Sequence, residues 1–346
     1  SITRDELDTQ DPYFPATICV RAVKPCAKKS PPIPTAPSVW NAGAILFYHR
    51  VADLASDAYG LCVSPDEFRS QMEHLREKYN PISLQDFAAL SAKGELPPKA
   101  VAVTFDDGYL DNLTTVSPIL REFDIPATFF VPTEKLDTEH ESWWDVLERI
   151  FLTGGDLPEV FDVYGNQEWF LRTGAEEQRS VAHKTLMETF YPMTSKKREK
   201  LIRRLSDWSG MDLTPRQTHR HMIVEELKQL ASMPGHTIGC HTIHHLSLPD
   251  HSIETQTNEI MESRQCLEQV LGRPVSIFSY PYGEHDKTTL DILRNASFEL
   301  GVTVEGRTVC CGAEQLLLPR FEVRSGEGFT AFMRRIFSQA TIKGVA

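Results

Sequence analysis

Short apolar runs alternate with helical segments along most of this 346-residue chain. Each run is bounded by polar or turn-forming residues, a pattern typical of strands buried in a core. Strands that alternate with helices predict a parallel β/α architecture, in which functional groups gather at the carboxyl ends of the strands. The predicted strands are, in chain order, residues 44–51, 100–107, 127–132, 236–242, 275–281, 299–304 and 316–323.

Helix-capping residues mark where the first helices begin. Ser64 can accept hydrogen bonds from the free amides of a first turn, and Pro65 fits the next position. A second helix, from Ser83 to Leu90, carries the same kind of start signal. These signals predict two helices between the first two strands.

Two segments depart from this rhythm. Residues 136–230 are rich in helix formers and predict a mainly helical insertion, either a lid or a contact within a homo-oligomer. Residues 1–40 are interpreted as an N-terminal extension, whose Pro-rich part, residues 31–38, is expected to be an extended linker. We therefore expect the domain itself to comprise residues 41–346.

The net charge of the chain indicates which classes of molecule it can bind. Thirty-six basic and 48 acidic residues give a formal charge of −12. A surface this negative repels phosphate backbones and anionic lipid, so nucleic-acid and membrane-surface roles are disfavoured, whereas uncharged sugars meet no such barrier. The sequence also has no apolar stretch of about 18 residues, so no membrane span is predicted.

Cysteine usage indicates a reducing compartment. The seven cysteines are scattered, odd in number and form no C-x-x-C pair, which is unlike a disulfide framework. Residues 1–14 lack the basic and apolar regions of a signal peptide. We therefore expect free thiols and a cytoplasmic protein.

The second predicted strand ends in two carboxylates, Asp106 and Asp107, followed by Gly108. Burying adjacent carboxylates is costly unless a cation or hydrogen bonds compensate. A turn at Gly108 would let both side chains face one cleft. The alternative interpretation is a turn followed by a helix cap, a common use of this tripeptide.

A pair of histidines follows the fourth predicted strand. His241 and His245 are four positions apart, which lets both rings reach one ion if the segment turns into a helix. Two histidines and one carboxylate, with positions left for water, are typical of an open catalytic metal site. His244 lies on another face and is expected to be structural or exposed. A chance spacing is the alternative.

The fifth predicted strand runs into Tyr280, Pro281, Tyr282 and Gly283. The simplest interpretation is a tight turn closed by proline and glycine. The functional interpretation is a rigid loop whose backbone amide, that of Tyr282, points into the cleft as an oxyanion donor, with Pro281 contacting substrate.

In this order, Thr-Phe-Asp-Asp-Gly (104–108), His-Thr-x-x-His-x-x-Leu (241–248) and Tyr-Pro-Tyr-Gly (280–283) resemble the motifs of the polysaccharide deacetylase family, which carries the NodB homology domain (carbohydrate esterase family 4). Residues 48–51 and 318–320 also resemble strand-end segments of one branch of that family, the branch with the Tyr-Pro-Tyr-Gly motif. The resemblance extends from about residue 44 to 325 and is more specific than any single motif.

The resemblance implies a TIM-barrel-like fold, a distorted (β/α)7-type barrel, and a role for each motif residue. Asp107, His241 and His245 would bind one divalent metal ion, zinc first, with cobalt, manganese, nickel or iron as alternatives. Asp106 would be the general base that takes a proton from a water activated by the metal. The Tyr282 amide would stabilise the oxyanion. The implied reaction is hydrolysis of the N-acetyl group of an amino sugar in a polysaccharide or glycan precursor.

One departure from the family concerns the arginine that pairs with the base. Many members carry it where Phe278 or Ser279 stands here. Arg320, at the end of another predicted strand, is the candidate replacement, because a cation near Asp106 would keep that carboxyl ionised. The alternative for Arg320 is a surface or structural salt bridge.

A second departure concerns the general acid. Many members supply a late histidine for this role, but the sequence has none after His285. Three candidates remain, namely protonated Asp106, His49 and His285, and we favour Asp106.

Three aromatic residues are candidate sugar contacts. Tyr109, Trp143 and Trp144 could each stack on the apolar face of a pyranose, or they could belong to the core. The basic runs at residues 196–198 and 203–204 are interpreted as the solvated face of a helix.

Three other functions compete with deacetylation. The same centre could hydrolyse another amide, such as a cyclic imide or ureide. One carboxylate with two histidines could also hold iron for oxygen activation, although the β/α pattern argues against it. A non-catalytic glycan-binding relic is the third alternative, because the usual arginine and late histidine are missing.

Overall fold

The computed structural model describes residues 42–136, 138, 140–326 and 328–342, with side chains described up to residue 338. The predicted extension and its Pro-rich linker, residues 1–40, lie outside the described residues. The strands are β1 (Ala44–Tyr48), β2 (Arg50–Val51), β3 (Cys62–Val63), β4 (Asn80–Pro81), β5 (Ala100–Phe105), β6 (Ala127–Val131), β7 (Val160–Asp162), β8 (Phe170–Arg172), β9 (His236–Cys240), β10 (Ile277–Ser279), β11 (Leu300–Val302) and β12 (Phe321–Glu322).

The α-helices begin and end as follows: α1 (Pro65–Lys78), α2 (Leu84–Lys93), α3 (Ser117–Glu122), α4 (Trp143–Phe151), α5 (Glu176–Phe190), α6 (Ser195–Ser209), α7 (Val224–Ser232), α8 (Ile253–Leu271), α9 (Lys287–Asn295) and α10 (Phe329–Ile342). The predicted starts of α1 and α2 are confirmed. Ser64 and Ser83 cap these helices, each accepting a hydrogen bond from a backbone amide of the first turn.

Seven parallel strands form a strongly curled half-barrel in the order β11-β10-β9-β6-β5-β1-β12. The short strand β4 pairs with the start of β5. Leu318, just before β12, also forms a parallel bridge with Val302 of β11. Each of the seven predicted apolar runs contains one of these strands, so the predicted α/β barrel of seven strands is confirmed.

Side chains of the central strands alternate between two hydrophobic clusters, because successive residues of a strand point to opposite faces. The outer cluster joins the sheet to flanking helices and includes Leu46, Val103, Phe129 and, from α1, Phe68. The inner cluster includes Ile45, Ala102, Phe130, Ile277 and Leu318. Burial on both faces explains why these strands are apolar throughout, and removing one such Phe side chain would cost about 3–5 kcal/mol.

The segment 136–230 contains more than the helices predicted for it. Helices α4, α5 and α6 are joined by the antiparallel ribbon β7–β8, which the sequence did not indicate. Residues from Trp143 to Leu205 form a separate hydrophobic cluster, the insertion core. Leu227 and Leu230 of α7 instead belong to the outer cluster.

The structure bears on two further expectations, those about membrane spans and about cysteines. Among the described helices, none combines the length and apolar character that a membrane crossing needs. The described cysteines, Cys62, Cys240, Cys266, Cys310 and Cys311, have free thiols, whereas Cys19 and Cys26 lie outside the described residues. The homo-oligomer and the cytoplasmic location stay predictions.

Candidate metal centre

The inward-facing side chains of the half-barrel turn from apolar to polar at the carboxyl ends of the strands. Ala102 lies in the inner cluster, and Thr104 and Asp106 continue its series at every second position. Leu318 and Arg320 follow the same rule before β12. The strand period therefore brings the buried side chains of Asp106 and Arg320 to one place.

Asp107 adopts a left-handed backbone conformation, with φ of +72°, and Gly108 follows with φ of +66°. This conformation is uncommon for an aspartate, and it turns the chain directly after β5. The buried His221 stabilises this turn: its Nδ1 lies within hydrogen-bonding distance, 2.9 Å, of the carbonyl oxygen of Asp107. Met222 N–H donates to the Gly108 carbonyl at 3.0 Å. The two adjacent aspartates thereby reach different partners in one cleft.

Asp107, His241 and His245 converge in the structure as the sequence predicts. Asp107 Oδ1 lies 3.5 Å from Nε2 of His241 and 3.5 Å from Nε2 of His245. All three ligand atoms lie within 4.8 Å of one another. The Nδ1 of His241 lies 2.8 Å from the carbonyl oxygen of Ser279, which orients the ring with Nε2 toward Asp107.

The donor set fits a divalent cation. Asp107 Oδ1 is buried and has no hydrogen-bond partner, and an unsatisfied buried carboxylate oxygen is costly. One carboxylate and two imidazole nitrogens are ligands of open catalytic zinc sites. A cation between these three atoms would satisfy the oxygen that the protein leaves unpaired.

The histidines reach the site through a tight turn and not through a helix, so that part of the sequence interpretation is wrong. Residues 241–247 are not helical. Thr242 has φ of +64° and His245 has φ of +51°. The Thr242 hydroxyl accepts a hydrogen bond from His245 N–H at 3.0 Å and closes the turn.

Metal binding requires an ionised carboxylate and neutral imidazoles, and the charge states of Asp107 and His245 meet this requirement. Burial raises the pKa of Asp107, but the close approach of His241 Nε2, 3.5 Å from Oδ1, and the nearby histidine charges outweigh it and hold the pKa well below its usual range. Burial lowers the pKa of His245 to about 3, so this ring is neutral at pH 7. For His241, burial lowers the pKa, but the nearby carboxylates of Asp107 and Asp106 reverse this and leave the pKa raised, so a metal ion would have to displace a proton from this ring.

Asp106 is held by a two-pronged ion pair with Arg320. The guanidinium donates to Oδ1 at 2.8 Å and to Oδ2 at 2.6 Å, and Ser279 Oγ donates to Oδ2 at 3.2 Å. Arg320 also donates to the Thr303 carbonyl and to Thr104 Oγ1. Burial raises the pKa of Asp106, but the Arg320 charge and hydrogen bonds outweigh it and lower the pKa. The contact predicted for Arg320 is thus present, and its effect on turnover stays a prediction.

Tyr282 lies against the second histidine. Its backbone φ is +59°, and its ring packs edge-on against the His245 ring at 4.6 Å between centroids. Pro281 before it is buried. The oxyanion role of the Tyr282 amide and the substrate contact of Pro281 stay predictions.

The histidines considered as general acids occupy different places. The charge of His49 contributes to the lowered pKa of both Asp106 and Asp107. His285 Nδ1 lies 3.2 Å from the Gly283 carbonyl oxygen. The identity of the general acid stays a prediction, with Asp106 favoured and His49 and His285 as alternatives.

Tyr109 belongs to the core, so its predicted stacking on sugar is wrong. Its side chain is fully buried, and its hydroxyl donates to Asp145 Oδ2 at 2.7 Å while it accepts from Trp144 Nε1 at 2.8 Å. Neither face of the ring is free for a sugar. The ring stacks on His221, with centroids 4.5 Å apart, and the Arg50 guanidinium carbon lies 4.2 Å from the ring centroid.

Trp143 and Trp144 are largely buried in the insertion core, which agrees with the core alternative. Trp144 nevertheless lies edge-on to His245, with ring centroids 5.1 Å apart. A small cavity beside His245 is lined by both tryptophans, by residues of α6 and by the histidine turn. A substrate contact of Trp144 stays a prediction.

A second buried group, Asp145, Glu148 and His219, also brings three possible ligand atoms within 4.8 Å of one another. Its carboxylates differ from Asp107 because each already has partners. Asp145 accepts a hydrogen bond from Tyr109. Glu148 accepts one from Ser56 at 2.6 Å and lies 3.8 Å from the Arg216 guanidinium. This group is therefore satisfied without a metal ion.

Comparison with known proteins gives independent evidence on the family of this chain. The model of the family described as polysaccharide deacetylase matches residues 93–157 and 182–301, more than half of the chain. YxkH of Bacillus subtilis (strain 168), named as a polysaccharide deacetylase, is 22% identical over 290 residues, which are 83% of this chain and 74% of YxkH. The poly-β-1,6-N-acetyl-D-glucosamine N-deacetylase of Escherichia coli (strain K12) is 37% identical over 100 residues, only 28% of this chain and 15% of that enzyme.

Solved structures share the fold. The Streptococcus pyogenes deacetylase PplD superimposes with a TM-score of 0.58 at 20% identity, covering 85% of this chain and 98% of PplD. IcaB from Ammonifex degensii superimposes with a TM-score of 0.54 at 20% identity, covering 87% of this chain and 97% of IcaB. The family match includes both aspartates and both histidines of the candidate metal centre, and the chain belongs to the polysaccharide deacetylase family.

Proposed function

We propose that this protein hydrolyses the N-acetyl group of an amino sugar in a polysaccharide or glycan precursor, with one divalent cation held by Asp107, His241 and His245. The observation that carries the proposal is the contrast between the two adjacent aspartates. Asp106 is neutralised by Arg320, whereas Asp107 has a buried oxygen without a partner, facing two imidazoles.

This contrast gives the two carboxylates different roles, Asp107 as a metal ligand and Asp106 as a base. Asp107, His241 and His245 would hold a divalent cation, which when bound would supply a Lewis acid for the acetamide carbonyl and for water. Asp106, the residue before Asp107, stays ionised because of Arg320, which lowers its pKa. Asp106 therefore acts as the general base and accepts a proton from the attacking water.

The proton that Asp106 accepts is then available to the leaving group. The water oxygen bonds to the acetyl carbon, and the Tyr282 amide stabilises the negative charge on the former carbonyl oxygen. The carbon–nitrogen bond breaks as the sugar nitrogen takes the proton from Asp106, so acetate and a free amine leave. His49, the residue between β1 and β2, is the alternative proton donor.

We propose zinc as the metal, since two imidazoles and a carboxylate suit zinc, although cobalt, manganese, nickel and iron accept the same donors. The substrate class rests on family membership and on the name of the Escherichia coli relative, an N-acetylglucosamine polymer deacetylase. The match to that relative covers only 28% of this chain. The identity of the sugar is therefore part of the proposal.

The test is acetate release from N-acetylglucosamine oligomers by protein loaded with zinc or cobalt. A parallel assay offers cyclic imides and ureides. We expect acetate from the oligomers, no turnover of imides, and no acetate with the isosteric variant Asp107→Asn. Turnover of imides alone would favour the other amidohydrolase activity, and oligomer binding without acetate release would favour the relic.

A further inference from the structure

We infer that Arg198 of helix α6 is a positioning residue for the metal ligand His245, so that the insertion is a structural part of the metal centre. This inference rests on the proposed metal site. It also reverses a sequence interpretation, because residues 196–198 were expected to lie on a solvated helix face. Arg198 is instead buried, with 4% of its surface exposed.

The guanidinium of Arg198 joins the insertion to the histidine turn through four backbone carbonyls. Its Nε donates to Phe190 at 2.9 Å and one terminal nitrogen donates to Tyr191 at 2.8 Å, both at the end of α5. The other terminal nitrogen donates to the carbonyls of His244 and His245, each at 3.2 Å. One buried cation thus links the insertion to the backbone of a metal ligand.

Glu259 of helix α8 holds the same turn by its amides. Its Oε2 accepts hydrogen bonds from the N–H groups of Ile243 at 3.0 Å and His244 at 2.9 Å. Its Oε1 lies 2.6 Å from Nδ1 of His244. The turn is therefore held between a buried carboxylate on its amide side and a buried guanidinium on its carbonyl side.

The turn needs such support because its conformation is strained. Thr242 and His245 both have positive φ, and each such residue costs about 1–3 kcal/mol unless its surroundings enforce it. Thr133 and Glu134 donate their amides to the carbonyls of Thr242 and Ile243, whereas the carbonyls of His244 and His245 both accept from Arg198. The His245 carbonyl also accepts a longer hydrogen bond, at 3.5 Å, from the Tyr282 hydroxyl. Without the guanidinium, the backbone of His245 can relax and carry Nε2 away from Asp107.

The insertion also contacts the ring side of the site. Trp144 lies edge-on to His245 at 5.1 Å, and Tyr191 packs on Tyr282 with ring centroids 4.4 Å apart. His245 is thus approached by the insertion at both its backbone and its ring. Because outer contacts of this kind typically contribute about 10–100-fold to metal affinity, their loss is measurable without substrate.

The experiment measures cobalt affinity and the visible spectrum of bound cobalt in the full chain, for the unsubstituted protein and three variants. Arg198→Met removes the guanidinium and keeps its aliphatic bulk. Arg198→Lys keeps the charge but cannot span the four carbonyls. Arg204→Met is the matched control, because Arg204 lies on the same helix and donates to the Asp162 carbonyl at 2.7 Å, in the β7–β8 ribbon.

We expect Arg198→Met to weaken cobalt binding by about 10-fold or more and to change the spectrum, with partial recovery in Arg198→Lys and no change in Arg204→Met. Equal cobalt affinity and an unchanged spectrum in folded Arg198→Met would overturn the inference while leaving the proposed function intact. If Arg198→Met does not fold, unchanged cobalt binding by Arg198→Lys overturns it instead. An unsubstituted protein that binds no cobalt would refute the metal site itself.

Discussion

The guanidinium of Arg320 donates to both carboxylate oxygens of Asp106, at 2.8 and 2.6 Å, inside the half-barrel. Asp107, the next residue, is equally buried but receives two imidazoles in place of a guanidinium. Two identical neighbouring side chains therefore have different electrostatic partners. The turn at Asp107 separates them, and their partners determine which one can bind a cation and which one can act as a base.

Replacing Asp106 with Asn removes the proposed base and leaves the ligands in place. We expect kcat for acetate release to fall by about 100-fold or more, since general bases typically contribute 10²–10⁴. Cobalt affinity should stay within about threefold of the unsubstituted protein. Retained turnover would rule out Asp106 as the base, and loss of cobalt would show that it is instead a ligand.

Replacing Arg320 alone should destabilise the protein more than replacing Asp106 and Arg320 together. Arg320→Met leaves a buried carboxylate unpaired, and we expect the free energy of unfolding to fall by about 3–5 kcal/mol. The double variant Asp106→Asn/Arg320→Met should lose less than the sum of the single losses, because no charge is then stranded. Urea unfolding of the four proteins measures this, and additive losses would contradict the ion pair.

The strand pattern is enough to predict where the candidate catalytic groups meet. Apolar runs located the seven strands, and the carboxyl ends of two of them located Asp106 and His241 at one rim. Arg320 lies one residue before β12, and its long side chain reaches Asp106. The period of two along a strand explains why Asp106 and Arg320 both face inward. This part of the site follows from local sequence, since each residue lies within two positions of a strand end.

Tyr109→Phe tests whether Tyr109 is a core residue. Its hydroxyl joins Trp144 Nε1 to Asp145, so its removal leaves both buried groups short of a partner. We expect a loss of about 1–3 kcal/mol in the free energy of unfolding. KM for the oligomers should stay within about twofold, because the buried ring does not meet substrate. A large rise in KM with unchanged stability would restore the stacking role.

Asp145 should make stability depend on pH. Burial raises its pKa to about 7, whereas an unfolded aspartate titrates near pH 4. Between these values only the folded state holds the proton, so this group lowers the free energy of unfolding as pH rises from about 4 to 7. The Asp145→Asn variant lacks this titration.

The stability of Asp145→Asn relative to the unsubstituted protein should therefore increase by about 1–3 kcal/mol between pH 5 and pH 7.5. Burial lowers the pKa of His219 and His221 to about 4, which acts in the opposite direction but is common to both proteins. Urea unfolding at the two pH values measures the difference. Parallel pH profiles would show that Asp145 has no raised pKa.

The residues that sequence reasoning missed act over long separations. His221 supports the turn at Asp107 from 114 positions away, and Arg198 contacts His245 from 47 positions away. The run Lys196-Lys197-Arg198 predicts an exposed helix face, yet its third residue, Arg198, is buried while the two lysines are exposed. A buried arginine is recognised only when the carbonyls that it contacts are known, and those come from tertiary packing.

The most direct test of the metal-dependent deacetylase is a titration of metal-free protein with zinc, in which bound zinc and acetate release from N-acetylglucosamine oligomers are measured on the same samples. We predict that acetate release rises with zinc and saturates at about one ion per chain, and that Asp107→Asn neither retains the ion nor releases acetate. Acetate release by metal-free protein, or one tightly bound zinc in Asp107→Asn, would contradict the account.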